Sequence, residues 1–400
     1  MPTFVIAGAS LAGAKAAETL RDEGFDGEIV LLGAETERPY ERPPLSKGYL
    51  LGNDELDSVY VHPEGWYAEH GVDLRLGVTV TAIDRTASAV VTSDDSTVHY
   101  DKLLLTTGAS PRRLNFAGSD RPEVLYLRTV ADSQGLRAAF QPGTRVVVAG
   151  AGWIGLETTA AARSKDCQVT VLEPQPGALQ DQLGPELGAV FADLHRAHGV
   201  EFRFGERSAE FRPGMVITSG GAHVPADVLV VGIGAAPNDA LAASAGLEVS
   251  NGVLTDAALR TADENIFAAG DVANSFHPLL GRRVRVEHWA NALNGGPAAA
   301  RSMLGMPVEY DPVPYFYSDQ YDLGMECAGL PSPGTYDQVA YRGDRAAMEF
   351  IAFWLSRGTV VAGMNVNVWD VNDDIQSLIR SARQVDLTRL ANPDIPLPAL

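Results

Sequence analysis

The chain has 400 residues, 46% hydrophobic and 20% charged, with a formal net charge of −20. That composition is ordinary for a globular protein with room for two or three domains. The acidity argues against nucleic acid as a partner, because a phosphate backbone would repel it, and no apolar run is long enough to cross a membrane. Two cysteines, Cys167 and Cys327, lie far apart, so a disulfide framework and a local dithiol centre are both excluded and a cytoplasmic setting is expected.

In chain order, FVIAG (4–8) reads as a buried strand, LAGAKAAETLRDEG (11–24) as an Ala-rich helix and EIVLLG (28–33) as a second strand. The first strand starts near Thr3, leaving no room for a signal peptide. The turn between strand and helix carries Gly8 and Gly13 of a G-x-G-x-x-G pattern, with Ser10 in place of the middle glycine. Glu35 follows the second strand, where a carboxylate accepts bonds from ribose hydroxyls. The proline-rich stretch ETERPYERPPLSKGYL (35–50) is expected to be an ordered loop. Short alternating segments follow near 74–82, 88–92 and 97–100, then the strand KLLLTTG (102–108).

The pattern then restarts. TRVVVAGAGWIGLETTAAARS (144–164) is again strand, glycine turn and helix, and CQVTVLE (167–173) is again a strand. This turn is complete, with Gly150, Gly152 and Gly155: the first permits the tight turn, the second lets the backbone approach a pyrophosphate, the third lets helix and strand pack closely. The phosphates would sit on the helix N-terminus. Glu173 ends the following strand, and residues 174–176 supply no arginine, so the carboxylate disfavours a 2′-phosphate and NADH is expected over NADPH. A meander near 201–231 ends in DVLVVGIG (227–234), and NIFAAGDVA (265–273) is a strand ending in Gly270 and Asp271. HWANALNGGPAAARSMLG (288–305) is helical, with Gly295, Gly296 and Pro297 placed to kink it. From about Val313 short strands, a helix around 371–383 and a proline-spaced tail form a smaller α+β domain.

TADENIFAAGDV (261–272), opening on Thr261, resembles the second FAD motif of the two-dinucleotide flavoproteins, and LLLTTGASP (103–111) resembles their linking motif. ERPPLSKGYL (41–50), GAGWIGLE (150–157), VEHWANA (286–292), PYFYSDQYDLGMECAGL (314–330) and YRGD (341–344) together resemble the NADH-dependent ferredoxin and rubredoxin reductases that serve monooxygenases and ring-hydroxylating dioxygenases. The resemblance implies an α/β fold with two Rossmann-like domains and a C-terminal α+β domain. FAD would take residues 1–110 and 242–310, NADH residues 111–241, and the last domain residues 311–400.

The resemblance also implies site residues. Gly8, Ser10, Leu11, Ala12, Gly13 and Glu35 would hold FAD, with Arg42, Pro43, Val80, Thr107, Gly108 and Arg128 around it and Gly270, Asp271, Glu287 and His288 on the return segment. Lys47 would lie by the flavin and pair with Glu157, and Trp289 would pack beside the flavin ring. NAD would meet Gly150, Gly152, Trp153, Ile154, Gly155, Glu157, Glu173 and Gly234. Trp369 is either a second cover of the flavin region or core. Hydride would pass from NADH to the flavin, and single electrons onward to a small iron–sulfur protein. Arg282, Arg283 and Arg285 are candidates for docking that partner, or a solvated turn; Arg112 with Arg113 is a second basic pair. No metal site and no membrane contact are expected, and the protein would be a monomer or weak homodimer. Tyr317, where several relatives carry Trp, and Gly295, where relatives often carry Gln, depart from the pattern. The competing readings are an NADH oxidase and a redox-sensing flavoprotein resembling apoptosis-inducing factor.

Overall fold

The computed structural model describes residues 1–400, and its internal packing groups them into two units. The first takes in Met1–Arg42, Glu55–Ser110 and Ala235–Pro314; the second takes in Pro43–Asp54, Pro111–Gly234 and Tyr315–Leu400.

The first unit is built on a parallel sheet in the order Ile266–Ala268, Lys102–Leu105, Thr3–Ala7, Glu28–Gly33, Val72–Leu76. Phe4 to Ala7 are all buried, as a strand covered on both faces must be. Phe4, Ile6, Leu31, Leu104 and Phe267 point to one face, against the helices Leu11–Asp22 and Trp289–Met303. Val5, Ala7, Val30, Leu103 and Leu105 point to the other, toward the antiparallel strands Val80–Asp84, Ala89–Thr92 and Thr97–His99. The two helices touch through small residues, and a Cβ on Gly296 would lie 2.2 Å from the Ala12 carbonyl oxygen. Trp289–Met303 continues through Pro297 as one helix, with Gly296 at this approach.

The second unit repeats the plan. Its parallel sheet runs Glu201–Phe204, Gln168–Glu173, Arg145–Ala149, Val228–Val231, Val124–Leu125, with the helix Trp153–Ser164 following the central strand. It also holds a five-stranded antiparallel sheet ordered Tyr315–Gln320, Leu323–Gly329, Thr359–Val366, Glu349–Ser356, Gln338–Asp344. Helix Asn372–Ser381 packs on that sheet, with Ile375 filling the space a Gly363 side chain would take. The expected tail contains a further helix, Leu387–Ala391, because Asp386 caps it by accepting the Arg389 N–H at 3.0 Å. Buried Arg342 holds the end of the chain by donating to the carbonyls of Leu390, Asn392, Pro393 and Ile395.

The stretch read as loop at 35–50 carries two single turns, Pro43–Ser46 and Gly48–Leu51. Prolines are compatible with a first helical turn, where no intrahelical N–H is needed.

Candidate functional site

The two glycine turns have the same local construction. In the first unit Gly8 has φ +126°, and a Cβ there would sit 2.1 Å from the Thr106 carbonyl oxygen; one on Gly13 would sit 2.1 Å from the Gly8 oxygen. In the second unit Gly150 has φ +101°, with a Cβ only 2.4 Å from the Gly232 oxygen, and one on Gly155 would be 2.2 Å from the Gly150 oxygen. These four positions admit only glycine, for reasons internal to the fold.

Gly152 differs. No protein atom lies within 4 Å of where its Cβ would be. Its open space is the cradle expected where backbone meets a ligand. Ser10 stands at the equivalent helix N-cap and makes no capping bond with its side chain. Neither helix carries an acidic residue in its first turn, which leaves both N-termini suited to an anion. The residues therefore fit two dinucleotides.

The acids follow the same logic. Glu173 accepts from the Ala151 N–H at 2.7 Å and the Gln175 N–H at 2.8 Å, so it is bound to its own glycine turn. Glu35 accepts from Arg42 at 2.9 Å and from the Tyr40 hydroxyl at 2.5 Å. Leu11 and Ala12 are buried in the first turn of their helix, whereas Ile154 is 44% exposed in its own. Exposed Ile233 follows the strand Val228–Val231, and Gly234 beside it has φ +91°.

On the return segment, Gly270 has φ +74° and opens the single turn Gly270–Val272, which contains Asp271. His288 is the N-cap of Trp289–Met303, and Trp289 bonds the side chain of Glu41. Burial raises the Glu41 carboxyl, while the Trp289 bond and Lys15 oppose it. Thr107 and Asn238 exchange two bonds, 2.9 and 2.7 Å, beside Gly108 at φ +68°. Val80 opens a half-buried strand end, and the Arg128 N–H donates to Asp132 at 3.0 Å. Thr261 closes a local turn with Asp263.

The second unit brings together Lys47 and Glu157, 110 positions apart. Lys47 Nζ lies 2.7 Å from Glu157 Oε1, and Glu157 is 4% exposed. Two hydroxyls complete the carboxylate's shell: Ser46 Oγ donates to Oε2 at 2.5 Å and Ser318 Oγ to Oε1 at 2.7 Å. The Lys47 ammonium also lies 5.4 Å from the Tyr317 ring centroid, so the aromatic departure at 317 is a cation–π partner. Ser46 and Ser318 carry no chemical signal of their own; each is marked only by lying within one of the resembling stretches, ERPPLSKGYL and PYFYSDQYDLGMECAGL.

Other residues sit differently from the simplest expectation. Trp369 is 53% exposed and packs its ring edge over Gly324, so the core reading is corrected. Arg282 is exposed, Arg283 donates to the Thr255 and Asn274 carbonyls, and Arg285 is drawn in by Glu287 and by the Asp271 carbonyl. Arg113 lies over the Tyr126 ring at 4.0 Å. Both cysteines are free and buried, and burial pushes both thiols up, away from the reactive thiolate form. No group of three or more His, Cys, Asp or Glu is placed to hold a metal, and no helix is long and apolar enough to cross a membrane.

Residues 2–296 match the family described as pyridine nucleotide-disulphide oxidoreductase, and residues 315–400 match the reductase C-terminal family. The chain is 42% identical, over 98% of both chains, to the ferredoxin–NAD(+) reductase component of an anthranilate 1,2-dioxygenase system from Burkholderia cepacia. It is 35% identical to putidaredoxin reductase of Pseudomonas putida, covering 98% of this chain and 95% of the other. Among solved structures it is similar to the reductase in a covalent putidaredoxin reductase–putidaredoxin complex, with a TM-score of 0.96 and 34% identity over 99% of this chain and 97% of that one.

Proposed function

The chain belongs to the pyridine nucleotide-disulphide oxidoreductase family, and from that premise we propose that it is an FAD-containing, NADH-dependent ferredoxin reductase. It serves a monooxygenase or dioxygenase through a small iron–sulfur protein. The carrying observation is the pair of glycine turns, each followed by an acid, combined with the pairing of Lys47 to buried Glu157. FAD, when bound, supplies the conversion of a two-electron donor into single-electron output.

The chain's own residues do the rest. The first glycine turn with Glu35, Gly270 and Asp271 orients FAD, and the second with Glu173 orients NADH. Glu173 accepts ribose hydroxyls and repels a 2′-phosphate. Lys47 supplies positive charge that favours electron-rich reduced forms, and Glu157 holds it in place. Trp289 packs on the ring, fixed by Glu41. The functional division is 1–110 with 242–310 for FAD, 111–241 for NADH and 311–400 for the C-terminal domain. Arg282, the exposed arginine of the three, docks the partner. A cytoplasmic setting fits the two unpaired buried cysteines, and the protein acts there as a monomer or weak homodimer.

The test is anaerobic addition of NADH to the purified protein. The expected result is a yellow protein that bleaches and reduces cytochrome c only when a ferredoxin is added. A colourless protein, or peroxide output in air that matches ferredoxin-linked turnover, overturns the reading.

A further inference from the structure

Glu157 also ends a row of hydrogen bonds that runs away from Lys47 within the second unit. Ser318 Oγ lies 2.7 Å from Glu157 Oε1, Gln320 Nε2 3.0 Å from Ser318 Oγ, His195 Nε2 2.8 Å from Gln320 Oε1, and Tyr321 Oη 3.1 Å from His195 Nδ1. Ser318, Gln320 and His195 are each at most 1% exposed. None is accounted for by cofactor binding.

The direction of every bond follows from the chemistry of the groups. A carboxylate paired with an ammonium only accepts, so Ser318 donates to it and its oxygen accepts from the Gln320 amide. That turns the Gln320 carbonyl toward His195. The ring must then donate through Nε2, which leaves Nδ1 to accept the Tyr321 hydroxyl. All donors thus point one way, toward Glu157.

Two features reinforce the row. Burial pushes the His195 pKa down to about 4, with the Gln320 bond opposing and His198 adding, so the ring is held in the neutral form the row requires. Tyr321 lies at φ +58°, in the two-residue turn joining Tyr315–Gln320 to Leu323–Gly329. A bulky residue is strained there, and such turns favour Asn or Gly. Its ring nevertheless stacks on His198 at 3.6 Å and its hydroxyl reaches His195. The row is not a proton path, because an amide at Gln320 cannot relay a proton and keep its form.

We propose that Tyr321, His195, Gln320 and Ser318 are positioning residues for Glu157, a one-way row of donors that fixes its carboxylate and, through it, the Lys47 ammonium. The effect on a flavin rests on the reading given under Proposed function, but the direction of the row does not. Nitrogen NMR of the histidine-labelled holoprotein at neutral pH is expected to show His195 neutral and protonated at Nε2. A ring protonated at Nδ1, or a cation, overturns the row whatever cofactor is bound.

The second measurement is the ratio of oxidised to reduced flavin, poised against a reference dye. Ser318→Ala and His195→Leu are expected to move it about threefold in the same direction, and His195→Gln, which keeps a donor, to restore it. In a Glu157→Gln background the same substitutions are expected to move it no further. Equal shifts in both backgrounds, or none from Ser318→Ala, overturn the proposal. Absence of flavin would instead sink the functional reading and leave the tautomer to decide the row.

Discussion

A buried ion pair holds together only when its remaining valences are filled, and at Glu157 the filling is visible: Lys47, Ser46 and Ser318 surround one carboxylate. Removing one partner is therefore worse than never having built the pair. Glu157→Gln is expected to cost about 3 kcal/mol in denaturant unfolding, and to slow NADH-driven flavin bleaching by about tenfold, since the ammonium loses its fixed position. Stopped-flow bleaching and urea titration check the two halves. His195 gives a pH prediction with a definite sign. Its folded pKa, about 4, lies below the unfolded value of 6.5, so the unfolded chain binds the proton first. The stability it contributes is present above pH 6.5 and is lost as pH falls toward 4. By pH 5 the loss amounts to about 2 kcal/mol. Chemical denaturation at pH 7 and 5 should show His195→Gln losing less on acidification than the parent; an equal loss refutes the assignment.

At the scale of elements, two glycines of one turn are set apart by what surrounds them. A Gly155→Ala Cβ would meet the Gly150 oxygen at 2.2 Å, whereas Gly152→Ala would project into open space. Gly155→Ala is expected to lower the unfolding midpoint clearly. Gly152→Ala is expected to leave it unchanged while raising the KM for NADH about tenfold, since only the ligand needs that space. Calorimetry with steady-state kinetics separates the two. The strand–turn–helix units were legible because each is local: an apolar run, a glycine spacing and an acid at the end of the next strand lie within about thirty residues. Ser46 and Ser318 were not, because they meet Glu157 across 111 and 161 positions, and a serine has no pattern that announces such a contact. The helix Leu387–Ala391 was hidden by neighbouring prolines, although Asp386 was a readable cap. The helix Trp289–Met303 runs on through Pro297, and Gly296 within it packs closely against Ala12, a tertiary contact that no local spacing announces.

At the scale of the whole molecule, a net charge of −20 leaves few places where an acidic iron–sulfur protein can approach. Arg282 is exposed, while Arg285 is occupied with Glu287 and the Asp271 carbonyl. Arg282→Glu is thus expected to raise the KM for ferredoxin several-fold, most strongly at low salt, and to spare NADH–ferricyanide turnover. Arg285→Glu is expected to depress both, because it disturbs the segment around Asp271; a loss confined to ferredoxin would return Arg285 to the docking surface. The chain also alternates between its two units, and the short segment Pro43–Asp54 groups with the unit that holds Glu157 rather than with the residues flanking it. Recombination between related genes therefore has hidden seams. A chimaera that exchanges residues 1–110 as one block would carry Ser46 and Lys47 away from the Glu157 and Ser318 with which they pack. Exchange that moves residues 43–54 together with 111–234 and 315–400 keeps that cluster of a single parentage.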